Sequence, residues 1–420
     1  VRVPSALTAT FASLQRHRNY RLYFYGQLIS QIGTWLQNAA QAWLVLDLTH
    51  SAQAVGVMGF ALYAPYALFG LFGGALADRL DRKRTMIVTQ SALALAAAIL
   101  ALVVVLHVDR VWVVDLLAAA RGTVLVLNNP SRQALMVQLV GRRELANAIA
   151  LNSSLNNATR IIGPAIAGVM IAAVGTAACF ALNAISFIPV IVAIGMMRRS
   201  EFHTRARRPA QVTSFRAAIV EGLRYARRRK TIAIALTMLF VISLAAINFQ
   251  VLLPILARQT LHGGAEVYGF ITACFGAGAL VGALFTAART KASPMVLLVA
   301  AAGFGAMQFA AAPQTNPFVV GAVLFVMGVF YTTYTATTNA LVQLATPEFL
   351  QGRVAGLYSY LFLASGPFGS LFVGWLSERG GTSATFEVAG IATLAITVVG
   401  FLVRPWPMPS GAAPARRRRA

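Results

Sequence analysis

The stretch Gly73-Gly74-Ala75-Leu76-Ala77-Asp78-Arg79-Leu80-Asp81-Arg82-Lys83-Arg84 decides the fold. Six of its last seven residues are charged, yet the apolar runs on either side, 54–76 and 86–106, carry no charge at all. Each run exceeds the ~20 residues that a helix needs to cross the hydrocarbon core of a bilayer. A charged loop between two such runs is the turn of a membrane hairpin.

The same alternation continues in both directions. Apolar runs occupy 22–46, 54–76, 86–106, 112–131, 149–173, 177–197, 232–256, 267–288, 295–312, 318–340, 354–376 and 388–403. These twelve runs hold only three charged residues, Asp115, Arg121 and Arg160. Overall the chain of 420 residues is 58% hydrophobic and 11% charged, against about 25% charged in ordinary soluble domains. That excludes a soluble enzyme and equally a disordered chain. Two cysteines exclude a disulfide framework. The first apolar run is too long for the core of a cleavable signal peptide.

Orientation follows from the basic residues, which concentrate on cytoplasmic loops. With the N-terminus inside, 30 Lys and Arg fall on inner segments and three, Arg110, Arg258 and Arg379, on outer ones. This split places both termini in the cytoplasm of a multi-pass protein of the cell membrane. It also accounts for the net charge of +23 without nucleic acid, and suits an inner surface rich in anionic lipid. The middle of the chain breaks the pattern. Residues 198–230 form a basic linker, in which Phe215, Ile219, Leu223 and Ala226 recur at helical spacing. That segment reads either as an amphipathic helix on the membrane surface or as a solvated tether. The expected organisation is a six-helix half at 1–197, the linker at 198–230, a second half at 231–404 and a basic tail at 405–420.

The halves repeat. Val137-Gln138-Leu139 returns as Val342-Gln343-Leu344, and Gly163-Pro164 as Gly366-Pro367, at offsets of 205 and 203 residues. Two halves of six spans in the same orientation are related by an axis along the membrane normal, with the site between them. The expected fold is therefore all-α, with twelve transmembrane helices as two parallel repeats around a central cavity.

The loop that opened this reading resembles the signature loop of the major facilitator superfamily, G-x-L-A-D-R-x-G-R-K. It matches at Gly74, Leu76, Ala77, Asp78, Arg79, Arg82 and Lys83, and departs at Asp81. Residues 159–168, with Gly163, Pro164 and Gly168, resemble a motif of exporter members in partial form. Asn19-Tyr20-Arg21-Leu22, Gln31-Ile32-Gly33 and Trp43-Leu44-Val45-Leu46-Asp47 resemble the enterobactin-exporter branch, or transmembrane secretion effectors. The resemblance implies efflux of a siderophore, drug or other small amphiphilic molecule by alternating access, coupled to proton antiport. A passive facilitator or an importer on the same fold is the alternative. Gly74, Asp78, Arg79, Arg82, Lys83, Gly163, Pro164, Gly366 and Pro367 are the expected gating positions.

Polar residues within the spans mark the path. Gln27, Gln31, Thr34, Asn38 and Gln41 fall on one helix face. Such a stripe must face protein or water, not lipid. It is either a cavity wall or a set of hydrogen bonds between helices. Arg121 and Arg160 are costly in a membrane, at ~2.5–3.5 kcal/mol each at a span centre on insertion scales. Asn156 and Asn157 lie near Arg160, and together they suit a carboxylate, a phenolate or an electron-rich ring. Asn248, Tyr331, Tyr334 and Thr338 are the counterparts expected in the second half. No G-K-[ST] phosphate loop is present. Asp115 and Asp47 are the proton-coupling candidates, since all five histidines lie outside the spans. An intramembrane enzyme would need a His or a pair of acids in the spans, and neither is there. No cofactor and no metal is expected, and a monomer suffices.

Overall fold

The structure, a computed structural model, describes residues 11–403 apart from 78, 142–143, 204–222, 227 and 290–291. Within hydrocarbon each backbone N–H and C=O must be satisfied inside its own segment, which selects helices. All regular structure among the described residues is accordingly helical. The crossing helices are α1 Arg18–Thr49, α2 Ala52–Ala77, α3 Arg82–Val105, α4 Val111–Val140, α5 145–174, α6 176–195, α7 Lys230–Thr260, α8 Ala265–Ala288, α9 Pro294–Ala311, α10 Pro317–Leu344, α11 348–380 and α12 382–402. A short helix, Ala12–Arg16, precedes them.

Nine helices of the described residues are long and apolar enough to span a membrane. Two of these serve as two crossings each. A straight helix of 51 residues would measure about 75 Å, more than twice the ~30 Å of hydrocarbon. Gly175 (φ 81°) breaks that run into α5 and α6, and Gly381 (φ 73°) separates α11 from α12. Only glycine adopts this backbone conformation without strain. Helix α1 completes the twelve but lies outside the nine, its polar stripe lowering its hydropathy.

The two glycine turns stand 206 residues apart, and the contacts repeat with them. A Cβ on Gly122 of α4 would sit 2.1 Å from the Leu62 carbonyl of α2. A Cβ on Gly328 of α10 would sit 2.2 Å from the Phe275 carbonyl of α8. Each half is thus closed by the same backbone-to-backbone approach, possible only with small residues.

The end of the bundle away from residues 11 and 403 is called distal here, and the other end proximal. Both halves meet in the distal part. Gly56 of α2 packs on Gly374 of α11, and Gly168 of α5 on Gly269 of α8, each close enough that a Cβ would touch the opposing Cα. Polar links reinforce this seam. Glu378 accepts from Ser51 Oγ and Gln53 N (both 3.1 Å), and Arg258 Nη2 lies 3.3 Å from Asp47 Oδ1. The most proximal hydrogen bond between halves runs from Tyr360 Oη to the Ala67 carbonyl (2.9 Å). Among the described residues, no hydrogen bond or ion pair joins the proximal ends of the two halves.

Helix ends differ from the apolar runs. Helices α4 and α10 continue to residues 140 and 344 instead of 131 and 340, and α12 begins at 382 instead of 388. Helical structure outlasts the hydrocarbon, so hydropathy marks the crossing and not the element. Helix α7 is broken, contrary to the single uninterrupted run expected over 232–256. It consists of Lys230–Ala246, Phe249–Ile255 and a π-helical turn Leu256–Thr260. Most of the expected linker helix and the whole basic tail 405–420 lie outside the described residues.

Gly122→Ala should lower stability by about 1–3 kcal/mol through overpacking. Gly74→Ala, where a Cβ meets nothing within 4 Å, should change it by less than about 0.5 kcal/mol. Thermal unfolding of the two variants in detergent checks the contrast.

Candidate functional site

Between the halves, below the distal seam, lies a cavity lined from both sides. The first half contributes Trp35, Asn38 and Gln41 of α1, Tyr63 of α2, Arg121 of α4, and Arg160 and Pro164 of α5. Arg121 is 6% exposed. Its Nη2 donates to Asn38 Oδ1 and its Nη1 to Gln41 Oε1 (3.3 Å). Gln41 Nε2 in turn donates to the Val114 carbonyl of α4 (3.3 Å). Amides of one helix thereby hold the cation of another, where a buried charge without hydrogen-bond partners would be costly. Arg160 is held differently. Its Cζ sits 5.2 Å from the centroid of the Trp35 ring, within the range of a cation–π contact.

The second half supplies rings. Phe249 and Phe275 stand 4.3 Å apart, and Tyr331 lies 5.9 Å from the first and 5.6 Å from the second. All three line the cavity, backed by the fully buried Phe304. Both broken helices face this space. Asn248 at the break of α7 donates Nδ2 to the carbonyls of Ser243 (3.3 Å) and Leu244 (3.0 Å). The break of α11 falls at Ser365, whose Oγ donates to Ser243 Oγ (2.8 Å). Gly366 and Pro367 restart that helix, and Gly366 packs against Tyr63 at the cavity wall. Tyr63 Oη donates to Gln250 Oε1 (2.9 Å), among the described residues the one hydrogen bond between halves made by cavity-lining side chains on both sides. Discontinuous helices at a repeat interface are where secondary transporters place their sites. No Asp or Glu lines this cavity among the described residues.

The sequence candidates divide. Asn38, Gln41, Arg121, Arg160, Asn248 and Tyr331 come together in the lining. Gln27, Gln31, Thr34, Asn156, Tyr334 and Thr338 do not. Gln31 Nε2 donates to Asn156 Oδ1 (2.7 Å), joining α1 to α5. Thr34 and Thr338 donate to carbonyls of their own helices, and Tyr334 is fully buried. Gln27 is 3% exposed. The side chain of Asn157 lies outside the described residues. Trp35, Tyr63, Phe249, Gln250 and Phe275 line the cavity without having been candidates. Trp35 had a signal, since it lies on the amide face between Gln31 and Asn38.

Both acid candidates lie off the lining. Asp115 stands six residues from Arg121, or about 9 Å along the helix, and its buried Oδ1 has no hydrogen-bond partner among the described residues. Asp47 pairs with Arg258 at the distal seam, where Arg258 also covers the Trp43 ring and Trp43 stacks on Tyr268, a lining residue.

At the proximal end, Asp81 caps α3 by accepting from Arg84 N (2.8 Å) and pairs with Arg199 (3.3 Å). Its departure from the signature glycine therefore serves a helix start. Lys83 Nζ donates to the Gly195 and Met197 carbonyls (both 2.9 Å), a cation on the C-terminal carbonyls of α6. Arg79 is exposed, Arg82 is half-buried and Asp78 lies outside the described residues. Gly163 packs against Trp35, where a Cβ would meet Trp35 Cβ at 2.3 Å.

Comparison with known proteins places this geometry. A family profile described as transmembrane secretion effector matches residues 8–417. The chain is 24% identical to the staphyloferrin A transporter of Staphylococcus aureus over 91% of its own length and 96% of that protein. It is 23% identical to macrolide efflux protein A of Streptococcus pyogenes over 92% and 97%. Among solved structures it superposes on the nucleoside transporter NupG with TM-score 0.70 at 11% identity, covering 92% of this chain and 98% of that one.

The distal seam predicts a cross-link. A Cβ on Gly59 would lie 2.8 Å from Ser370 Cβ, less than about 1 Å short of disulfide range. In a background lacking Cys179 and Cys274, Gly59→Cys with Ser370→Cys should oxidise nearly completely in detergent, and Leu80→Cys with Leu344→Cys should not. Gel mobility with and without reductant distinguishes the two.

Proposed function

This chain belongs to the transmembrane secretion effector family of the major facilitator superfamily, and we propose that it exports small amphiphilic organic molecules by alternating access. The observation that carries the reading is the cavity: it takes its lining from both halves, and among the described residues the hydrogen bonds and ion pairs between halves run only from mid-bundle to the distal surface. Such a state admits a ligand from the proximal side. The concentration of Lys and Arg on proximal segments supports placing that side in the cytoplasm of a protein of the cell membrane. Relatives named for macrolide efflux and staphyloferrin A transport support an outward direction and an organic cargo. The chain is a transporter and not an enzyme. One chain supplies both walls of the cavity, which supports action as a monomer.

Alternating access requires the distal seam to part when the proximal ends meet. Glycine contacts and an exposed ion pair suit that cycle, since exposed pairs contribute only about 0–1 kcal/mol. The sequence carries no phosphate loop, which leaves an ion gradient or facilitated diffusion as the driving force. Proton antiport is the coupling we propose, with Asp47 in the seam and Asp115 above Arg121 as the acids to test.

Everted membrane vesicles energised by respiration should accumulate a catecholate siderophore or a lipophilic cationic dye, and a protonophore should abolish the accumulation. Uptake of both probes no greater than in vesicles lacking the protein would count against export. Arg160→Ala should reduce transport at least about tenfold, the loss expected for a charge-assisted contact, with an unchanged amount of protein in the membrane. Normal transport by that variant would remove Arg160 from the site.

A further inference from the structure

We infer that the cavity is built for an aromatic organic anion, a carboxylate or phenolate carried on a ring system, with the charge at Arg160 and Arg121 and the ring among Phe249, Phe275 and Tyr331. The inference rests on the export reading and narrows its substrate class.

Charge balance is the first argument. Two guanidinium groups line the cavity and no carboxylate does, among the described residues. Neither Arg121 nor Arg160 forms an ion pair among them. Arg160 is half-buried and accessible to water, whereas Arg121 is 6% exposed. When the proximal ends close, that water leaves, and an uncompensated cation in a sealed, low-dielectric space is costly. An anionic ligand supplies the missing countercharge. A cationic ligand would add a third like charge.

The two arginines are also unequal in a way that points to a ligand. Arg121 spends Nη1 and Nη2 on Gln41 and Asn38. Arg160 makes no hydrogen bond among the described residues, and its contact is the Trp35 ring. A ring face positions a cation without consuming its N–H donors. Arg160 is thus a placed guanidinium with its donors unspent, suited to bidentate binding of a carboxylate. Tyr63 stands in the same wall and offers a phenol near both.

The opposite wall selects the rest of the molecule. The closely spaced rings of Phe249, Phe275 and Tyr331 present faces and edges for offset or edge-to-face packing. Ser243, Asn248 and Gln250 beside them offer hydrogen bonds for hydroxyl or amide substituents. The anionic end and the aromatic end are therefore read by different halves. Binding links the halves through the ligand, as a carrier that closes around its cargo requires.

The test is a charge series on one ring system. Purified full-length protein in detergent is titrated calorimetrically with 2-naphthoate, 2-naphthamide and 2-naphthyltrimethylammonium, against matching detergent blanks. We expect 2-naphthoate to bind at least about tenfold more tightly than the amide, and the ammonium most weakly. Arg160→Ala should reduce the preference for naphthoate over naphthamide at least about threefold, the remainder being held by Arg121. Arg160→Lys should keep part of that preference. Equal or tighter binding of the ammonium, binding of none of the three, or a preference undiminished in Arg160→Ala would overturn the proposal. The wild-type series decides even where a variant does not fold. Vesicles that export the cationic dye while the purified protein prefers the ammonium would leave the export reading standing and overturn the anion alone.

Discussion

The interior of a bilayer cannot hydrate a polar group, and each feature described above is an answer to that constraint. The backbone answers by forming helices, whose hydrogen bonds close within each crossing. Side chains answer by pairing inside the bundle. Gln31 bonds Asn156, and Asn183 bonds Gln37. Arg121, which no carboxylate neutralises among the described residues, is wrapped by Asn38 and Gln41. Where pairing stops, a cavity begins. Arg160 rests on the Trp35 ring without a hydrogen bond among the described residues, tolerable because its side chain is only half-buried.

A second consequence concerns how the halves hold together. Hydrophobic burial does not drive helices together in lipid, so close backbone approach does. Within each half, glycines bring α2 to α4 and α8 to α10 against carbonyl oxygens. Between halves, Gly56 with Gly374 and Gly168 with Gly269 do the same at the distal seam. At the proximal end of the first half, Lys83 holds the C-terminus of α6. The molecule is thus two firm bodies joined by a seam at one end. The breaks in α7 and α11 meet through Ser243 and Ser365 beside the cavity, where a ligand would feel both.

The fold was legible because charges obey the bilayer. Three charged residues in twelve apolar runs locate the crossings, and the offset repeats pair the halves. The site was legible only in part. The stripe on α1 was visible, but its members face different neighbours at different depths: Asn38 and Gln41 reach the cavity, while Gln31 meets Asn156. Periodicity gives a face and not a depth. Trp35 lies on that face yet was passed over because polarity was the criterion. Phe249 and Phe275 carried no mark, since phenylalanine in a span is ordinary. Tyr331 and Tyr334 looked equivalent, yet the first lines the cavity and the second is fully buried in the packing. The break of α11 falls beside Gly366-Pro367, expected as a gating pair, whereas α5 runs on through Gly163-Pro164. The break of α7 at Ile247 and Asn248 had no signal of that kind.

The central claim is that the two halves rock about a central cavity, opening one end as the other closes. Spin labels test it most directly, in a background lacking Cys179 and Cys274. One pair joins the distal surface, Val108→Cys with Thr315→Cys, and the other the proximal ends, Leu80→Cys with Leu344→Cys. Pulsed electron–electron distances are compared across pH and with a transported substrate. The account predicts opposite changes, with a distal population lengthening as the proximal one shortens. Distances that stay fixed, or that lengthen together, would contradict it.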